Sequence, residues 1–249
     1  MKNITLVILI LIIVLLNGCI KKESDNIVSS NILSSSKQTY EAKKSEKGFD
    51  YEIINNSIKI TKCWNYGLNI IIPEKLEDKY VSVIGSETFY QHTDTISIKL
   101  PKYLKRIEGS PFYRCYSIKE ITIPASVDYI EGNSFYRCSS LLEINVEEEN
   151  DDYSDIDGVL YNKNITKLIA YPEGKLDDFY EVPESVTQIG NDSFGYYPYA
   201  LKRVRIPNSV TDFPDYNIFI YPDNITLEVA SGSDAEKYAK KYNLKYVNY

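Results

Sequence analysis

Histidine is almost missing from these 249 residues: there is one, His92, beside four cysteines, one methionine and one tryptophan. Any chemistry that needs an imidazole, whether paired with a thiol or ligating a metal, has to pass through that residue. The chain also lacks a Gly-rich phosphate loop, a Gly-x-Ser-x-Gly elbow and a Cys-x-x-Cys pair. These gaps remove the common signatures of phosphoryl transfer, serine hydrolysis and dithiol redox chemistry. Basic charge is in deficit, with 28 Lys and Arg against 35 Asp and Glu, so nothing electrostatic favours nucleic acid. No apolar run is long enough to span a bilayer, because Ile4 to Leu16 stops short of the ~20 residues a transmembrane helix needs.

That apolar run follows Met1, Lys2 and Asn3 and precedes Asn17, Gly18 and Cys19. A basic start, a short hydrophobic stretch and small residues before a cut form an export signal, expected here over residues 1–18. The exit sequence Leu16-Asn17-Gly18-Cys19 resembles the lipobox of bacterial lipoproteins, and the resemblance implies acylation of Cys19. Acyl chains on Cys19 would anchor the protein to a membrane without crossing it. Ile20 leans the expected location toward the outer membrane or cell surface. Residues 19–47 then read as the lipidated cysteine and a polar, serine-rich tether that cannot bury enough apolar surface to order itself. A folded domain is expected over residues 48–249.

Within that domain a repeat dominates. Ile84-Gly-Ser-Glu-Thr-Phe89, Ile107-Glu-Gly-Ser-Pro-Phe112 and Ile130-Glu-Gly-Asn-Ser-Phe135 align without gaps, and Ile189-Gly-Asn-Asp-Ser-Phe194 is a fourth copy. A fixed period in the range of 20–50 residues is the signature of a solenoid. A proline stands six residues before the isoleucine position at Pro101, Pro124 and Pro183, and likewise at Pro207 before Phe213. Each proline follows a short alternating stretch such as Ile121-Thr122-Ile123 or Val204-Arg205-Ile206, which reads as a half-buried strand ended by the missing N–H donor.

The pattern Pro-x-Ser-Val-x-x-Ile-x-x-x-x-Phe-x-x-Cys-x-x-Leu, present as Pro124 to Leu141, resembles the BspA-type, or Treponema-type, leucine-rich repeat of bacterial surface proteins. The resemblance covers about Phe49 to the C-terminus. It implies a mainly β repeat solenoid of the leucine-rich-repeat type with short strands, turns and a C-terminal capping helix. An N-terminal cap is expected over about 48–80, repeats over about 81–222 and a C-terminal cap over about 223–249, with five to seven units in all. The interval from Ile130 to Ile189 does not fit the 23-residue spacing that separates Ile84, Ile107 and Ile130. Its Asp157-to-Lys163 and Leu168-to-Pro172 stretches resemble a variant unit that inserts a hairpin. At the end of the chain Ser233 and Glu236 form a capping-box pattern before Tyr238, Ala239 and Tyr242, predicting a helix, and Leu244 to Val247 a final strand. Tyr51 to Ile60 and Ile70 to Ile72 predict strands that close the other end, with Trp64 as packing material.

The residues with chemical potential each have a plain structural use. Cys115 and Cys138 share a repeat slot one unit apart. Buried thiols and a disulfide both remain open, the family slot being commonly a buried thiol; Cys63 has no evident partner. His92 fills that slot in the preceding unit, where it is either half of a Cys-His pair with Cys115 or a core spacer. The acidic run from Glu147 to Asp157 suggests calcium, but register on Gly158 puts Tyr153 and Asn164 at key ligand positions, so the EF-hand pattern fails. No catalytic residue, metal ligand or cofactor is assigned, and an enzyme is not expected. The tyrosines are the surplus: 23 in all, several just after the Phe landmark as Tyr90, Tyr113 and Tyr136. They can cover the coil edges or serve recognition, for which tyrosine is well suited.

If Ile121 and Ile123 point inward, their neighbours point out. Ser97, Glu120, Thr122, Glu143, Asn145, Glu181, Arg203 and Arg205 then form the candidate binding face, a continuous polar strip that is acidic in the middle and basic toward the C-terminal end. Solenoids use such extended faces for binding. The resemblance implies a surface-displayed binding or adhesion protein whose partner is a protein of host matrix, of another microbe or of the envelope. The alternative is a periplasmic envelope scaffold with no external ligand.

Overall fold

The computed structural model describes residues 43–45 and 47–249. The expected signal, Cys19 and most of the expected tether lie outside the described residues. The described residues open with strand β1 (Lys43–Lys44), which pairs antiparallel with β2 (Phe49–Ile54). Strand pairing therefore starts a few residues ahead of the boundary expected at 48. Strand β2 turns into β3 (Ser57–Cys63) through Asn55 and Asn56, whose φ values of 47° and 64° give the left-handed turn that matches strand twist. The first coil continues to β4 (Asn69–Ile71) and a small hairpin of β5 (Lys75–Leu76) and β6 (Lys79–Ile84).

Regular coils follow as β7 (Ser97–Lys99), β8 (Arg106–Ile107), β9 (Glu120–Ile123), β10 (Tyr129–Ile130) and β11 (Glu143–Val146). An inserted hairpin, β12 (Tyr153–Ile156) and β13 (Val159–Asn162), then leads into β14 (Lys167–Ala170) and β15 (Phe179–Glu181). The remaining strands are β16 (Gln188–Ile189), β17 (Arg203–Ile206), β18 (Thr226–Val229) and β19 (Lys245–Asn248), with helix α1 (Asp234–Lys241) before the last.

Two parallel ladders wall the solenoid. One carries the isoleucine landmark: β3, β6, β8 and β10 are neighbours, with Ile84, Ile107 and Ile130 in register, and β14 pairs with β16 further on. The other carries the alternating strands as three groups: β4 with β7, β9 with β11, and β15-β17-β18-β19. Inward-pointing Ile98, Ile121, Ile144, Val204 and Leu227 from this ladder are buried against the isoleucines of the first. At the far edge Phe89, Phe112 and Phe135 stack ring on ring, with centroids 5.6 and 5.7 Å apart. No coil could bury these faces alone, so stability comes from neighbour contacts. The prolines act as predicted: Pro101, Pro124, Pro183 and Pro207 each accept from the N–H three residues on and turn the chain off the strand.

Between Ile130 and Ile189 the 23-residue register breaks, as the spacing predicted, and side chains take over work that backbone does elsewhere. In the regular coils Gln91 N–H and Arg114 N–H donate to the carbonyls of Tyr113 and Tyr136 in the next unit. At the break Arg137 N–H donates to the buried carboxylate of Glu173 instead, at 2.7 Å, and Tyr196 N–H from the other side joins it at 2.6 Å. Ile130 N–H donates to the Tyr153 hydroxyl at 2.8 Å. Buried Asn150 donates to the carbonyls of Pro124 and Val127 and accepts from the N–H groups of Asp152 and Tyr153. Asn162 Oδ1 accepts from Thr166 and Lys167. Glu173, Tyr153 and Asn162 each stand in for a backbone partner, and a buried group left without one would cost about 1–3 kcal/mol.

The C-terminal cap forms as read. Ser233 Oγ accepts Glu236 N–H at 3.1 Å, while the Glu236 carboxylate reaches back to Gly232 N–H at 2.8 Å. Ala235, Tyr238 and Ala239 are buried, and β19 closes the ladder on β18. Trp64 corrects an expectation: it is 41% exposed, with the Lys62 ammonium 3.9 Å from its ring centroid, and is not core packing.

Candidate recognition surfaces

The eight residues of the expected face lie on the second ladder and point outward, but the strip is not continuous. Glu120 stands beside Glu143 and Thr122 beside Asn145 on β9 and β11, and Ser97 Oγ donates to Asn69 Oδ1 at 2.7 Å on β7 and β4. Strands β7 and β9 are not paired, and depressions of about 590 and 370 Å³ lie along that gap, each touching Ser97 and Glu120. The inserted hairpin then separates β11 from β15: Ile144 N–H donates to Gly158 O of the hairpin turn. A Cβ on Gly158 would lie 2.8 Å from the Glu143 side chain, so the turn sits against the face. Physically, the insertion fills the position the next strand would occupy.

The basic end of the strip is corrected too. Glu181, Arg203 and Arg205 are brought together, but around Glu228 of β18, which is buried. Glu228 binds Arg203 at 3.1 Å and Arg205 at 2.7 Å, and Arg205 reaches Glu181 at 3.3 Å. The Arg205 guanidinium, then Arg203, holds the Glu228 carboxyl below its ordinary range against the opposing effect of burial. The two arginines are thus largely neutralised by the fold. Glu228 was not among the expected face residues, although Thr226-Leu227-Glu228-Val229 aligns with Arg203-Val204-Arg205-Ile206 and so carries the signal for it.

The edge that carries the Phe landmark offers a different surface. Tyr90, Tyr113 and Tyr136 stack in sequence, centroids 5.6 and 6.0 Å apart, and Tyr196 and Tyr221 extend the row at 5.6 and 5.4 Å. Arginines interleave: Arg114 lies over Tyr113 at 5.2 Å, and Arg137 lies over Tyr196 at 3.6 Å. Arg114 and Arg137 occupy one slot in successive coils, both with left-handed backbone, φ 65° and 61°, which aims the side chains along the row. Among the described residues neither makes an ion pair within 4.0 Å. Tyr221 and Tyr199 are about half exposed or more, and Tyr90 is exposed. The row therefore covers the coil edges, with half-buried guanidinium groups set among partly exposed rings.

The thiol and imidazole readings resolve toward the core. Cys63, Cys115 and Cys138 are free and buried. Cys115 Sγ donates to Phe89 O at 3.1 Å and Cys138 Sγ to Phe112 O at 3.2 Å, so each thiol serves the preceding coil. Burial pushes the Cys115 thiol up to about 12, away from any nucleophilic thiolate. His92 Nε2 lies 3.2 Å from the Cys63 carbonyl, its ring stacks on Tyr66 at 4.4 Å, and burial lowers its basicity. A Cys-His couple is not assembled. The acidic run is used structurally: Glu147 accepts Ala125 N–H, and Asp155 accepts Val146 N–H. Among the described residues no three His, Cys, Asp or Glu side chains are placed to hold a metal ion, and no helix is long and apolar enough to cross a membrane.

Comparison with known proteins agrees with this architecture. A family described as "BspA type Leucine rich repeat region" matches residues 61–179 and 175–226 in six copies. A leucine-rich repeat protein from Eubacterium ventriosum, 17% identical over 84% of this chain and 68% of its own, superposes with a TM-score of 0.52. A T. pallidum leucine-rich repeat protein (15% identity; 82% of this chain, 97% of that one) gives 0.49. A leucine rich cell surface protein from Faecalibacterium prausnitzii (19%; 78% and 76%) gives 0.37. No curated protein sequence matches the chain.

Proposed function

This chain belongs to the BspA-type leucine-rich repeat family, and from that premise we propose that it is a lipid-anchored, surface-displayed recognition protein. It would be held by Cys19 and a tether over residues 19–47, and would bind a protein partner of host matrix or of another microbe without catalysis. The observation that carries this reading is the Tyr90-Tyr113-Tyr136-Tyr196-Tyr221 row with Arg114 and Arg137 laid among the rings. Tyrosine and arginine are the residues that protein interfaces concentrate at their energetic centres, because they give large contact area and directed hydrogen bonds for little entropy. Arginines held over rings yet lacking carboxylate partners keep their charge available to a ligand.

The expected strand-face residues contribute through the β7–β9 gap, where Ser97 and Glu120 border the depressions. Arg203 and Arg205 are better read as structural, since Glu228 already holds both.

Anchoring is tested by Cys19→Ser: a folded protein released from membranes is the expected result, and a variant still extracted with membranes refutes the lipid anchor. The recognition surface is tested by Tyr113→Ala and Arg137→Ala, which should weaken capture of cells or matrix at least tenfold while leaving thermal unfolding within a few degrees of the parent. Equal weakening by a variant on the opposite ladder, such as Lys105→Ala, would contradict the assignment to this edge.

A further inference from the structure

On the isoleucine face every regular junction closes by the same backbone bonds. Asp128 and Tyr129 N–H donate to Lys105 O and Glu131 N–H to Ile107 O; likewise Thr187 and Gln188 donate to Thr166 O and Gly190 to Leu168 O. At the seam the equivalent acceptors are the carbonyls of Asp128 and Ile130. Strand β10 ends its sheet there, and among the described residues no N–H bonds to either carbonyl. The facing donors of Thr166 and Lys167 are already taken by Asn162. What remains is an edge rich in acceptors.

This edge lines a cavity of about 590 Å³. The cavity is a wedge, since at one end the coils touch: a Cβ on Gly132 would lie 2.7 Å from Asn191 O. Asp128, Glu131, Asp152 and Asp212 border it against a single cation, Lys167. Only Asp128 has an ion-pair partner, Lys105 at 4.0 Å. Ile130 and Ile169 supply an apolar floor.

We infer that the wedge between β10 and β14 takes an extended, lysine- or arginine-rich segment of a protein partner, which adds a strand to β10. The inference rests on the reading of the chain as a protein-binding module and specifies a second contact for it. Backbone N–H groups of the segment would donate to the Asp128 and Ile130 carbonyls, as the missing coil would, giving strand addition its affinity. Alternate side chains would place positive charge against the four carboxylates, and the apolar ones on the floor.

The test uses the full chain in detergent and a fluorescent eight-residue peptide alternating lysine and valine, read by anisotropy. Saturable binding is expected, weakened at least tenfold by three changes: replacing the lysines with glutamate, N-methylating alternate peptide amides, and the double substitution Asp128→Asn with Asp212→Asn. The N-methylated peptide leaves the protein untouched, so its result stands even if the double variant is destabilised. Absence of saturable binding, or N-methylated and parent peptides binding alike, overturns the inference. So does a dimer in sedimentation that the peptide fails to dissociate, since a second copy would then fill the wedge. None of these outcomes depends on cellular location or on Tyr113 and Arg137, so the wedge can fail while the proposed function stands, or the reverse.

Discussion

A Cβ atom on Gly195 would lie 2.5 Å from Oε1 of Glu173, the oxygen that accepts both the Arg137 and the Tyr196 N–H groups. Gly195 itself has φ +62°, a conformation that side chains disfavour. The two residues thus define one joint, in which a carboxylate fills the place of an absent coil and a glycine makes room for it.

Removing the carboxylate should loosen that joint. Glu173→Ala leaves two buried N–H groups without an acceptor, a cost of about 2–4 kcal/mol together, read as a lower urea midpoint. Glu173→Gln keeps one acceptor oxygen and should lose about 1 kcal/mol. Gly195→Ala should fall with Glu173→Ala, because the added methyl collides with the same oxygen. A Glu173→Ala protein with an unchanged midpoint would show that the bridge contributes nothing.

The thiols should report unfolding and not surface chemistry. Burial raises Cys63 to about 11 and Cys115 to about 12, and it also pushes Cys138 well above the ordinary thiol value. At pH 8 these three cysteines should resist alkylation in the native protein and react together once denaturant opens the coils. Rapid modification of Cys115 or Cys138 without denaturant would contradict the packed-thiol ladder.

Acid should weaken the C-terminal coils through Glu228. Its carboxyl is held below the ordinary range, first by Arg205, so the folded chain binds fewer protons than the unfolded one across that interval. The associated stability is fully present above the ordinary glutamate value of about 4.3 and is lost as pH falls through the lower folded value. Glu228→Gln should therefore be less stable than the parent at pH 7 and show a shallower fall of melting temperature between about pH 4 and the acid limit. Parallel curves for the two proteins would remove the Arg-Glu cluster from the account.

Much of this was legible in the chain because a repeat states its own register. Ile84, Ile107 and Ile130 fix one ladder, the prolines fix the strand ends, and Ser233 with Glu236 fixes the closing helix, each by local chemistry that needs no distant partner. The site was less legible for a physical reason. Whether Glu120 and Arg205 share one face depends on what lies between their strands, and the hairpin at Tyr153–Asn162 occupies that space. The neutralising role of Glu228 needed one further repeat to be aligned. Trp64 departs from the expectation because a lone large apolar residue outside the alternating strands carries no period to say which way it faces. The wedge beside β10 could not be foreseen, since it consists of backbone carbonyls left over by an irregular spacing.

The most direct test of the central claim, a recognition protein displayed outside the cell, is protease accessibility of the solenoid on intact and lysed cells, read by immunoblot. Digestion on intact cells is the predicted result, since residues 43–249 would then stand beyond the membrane where the tyrosine-arginine edge can meet a partner. Protection until lysis would contradict surface display and turn the same edge toward another protein of the envelope.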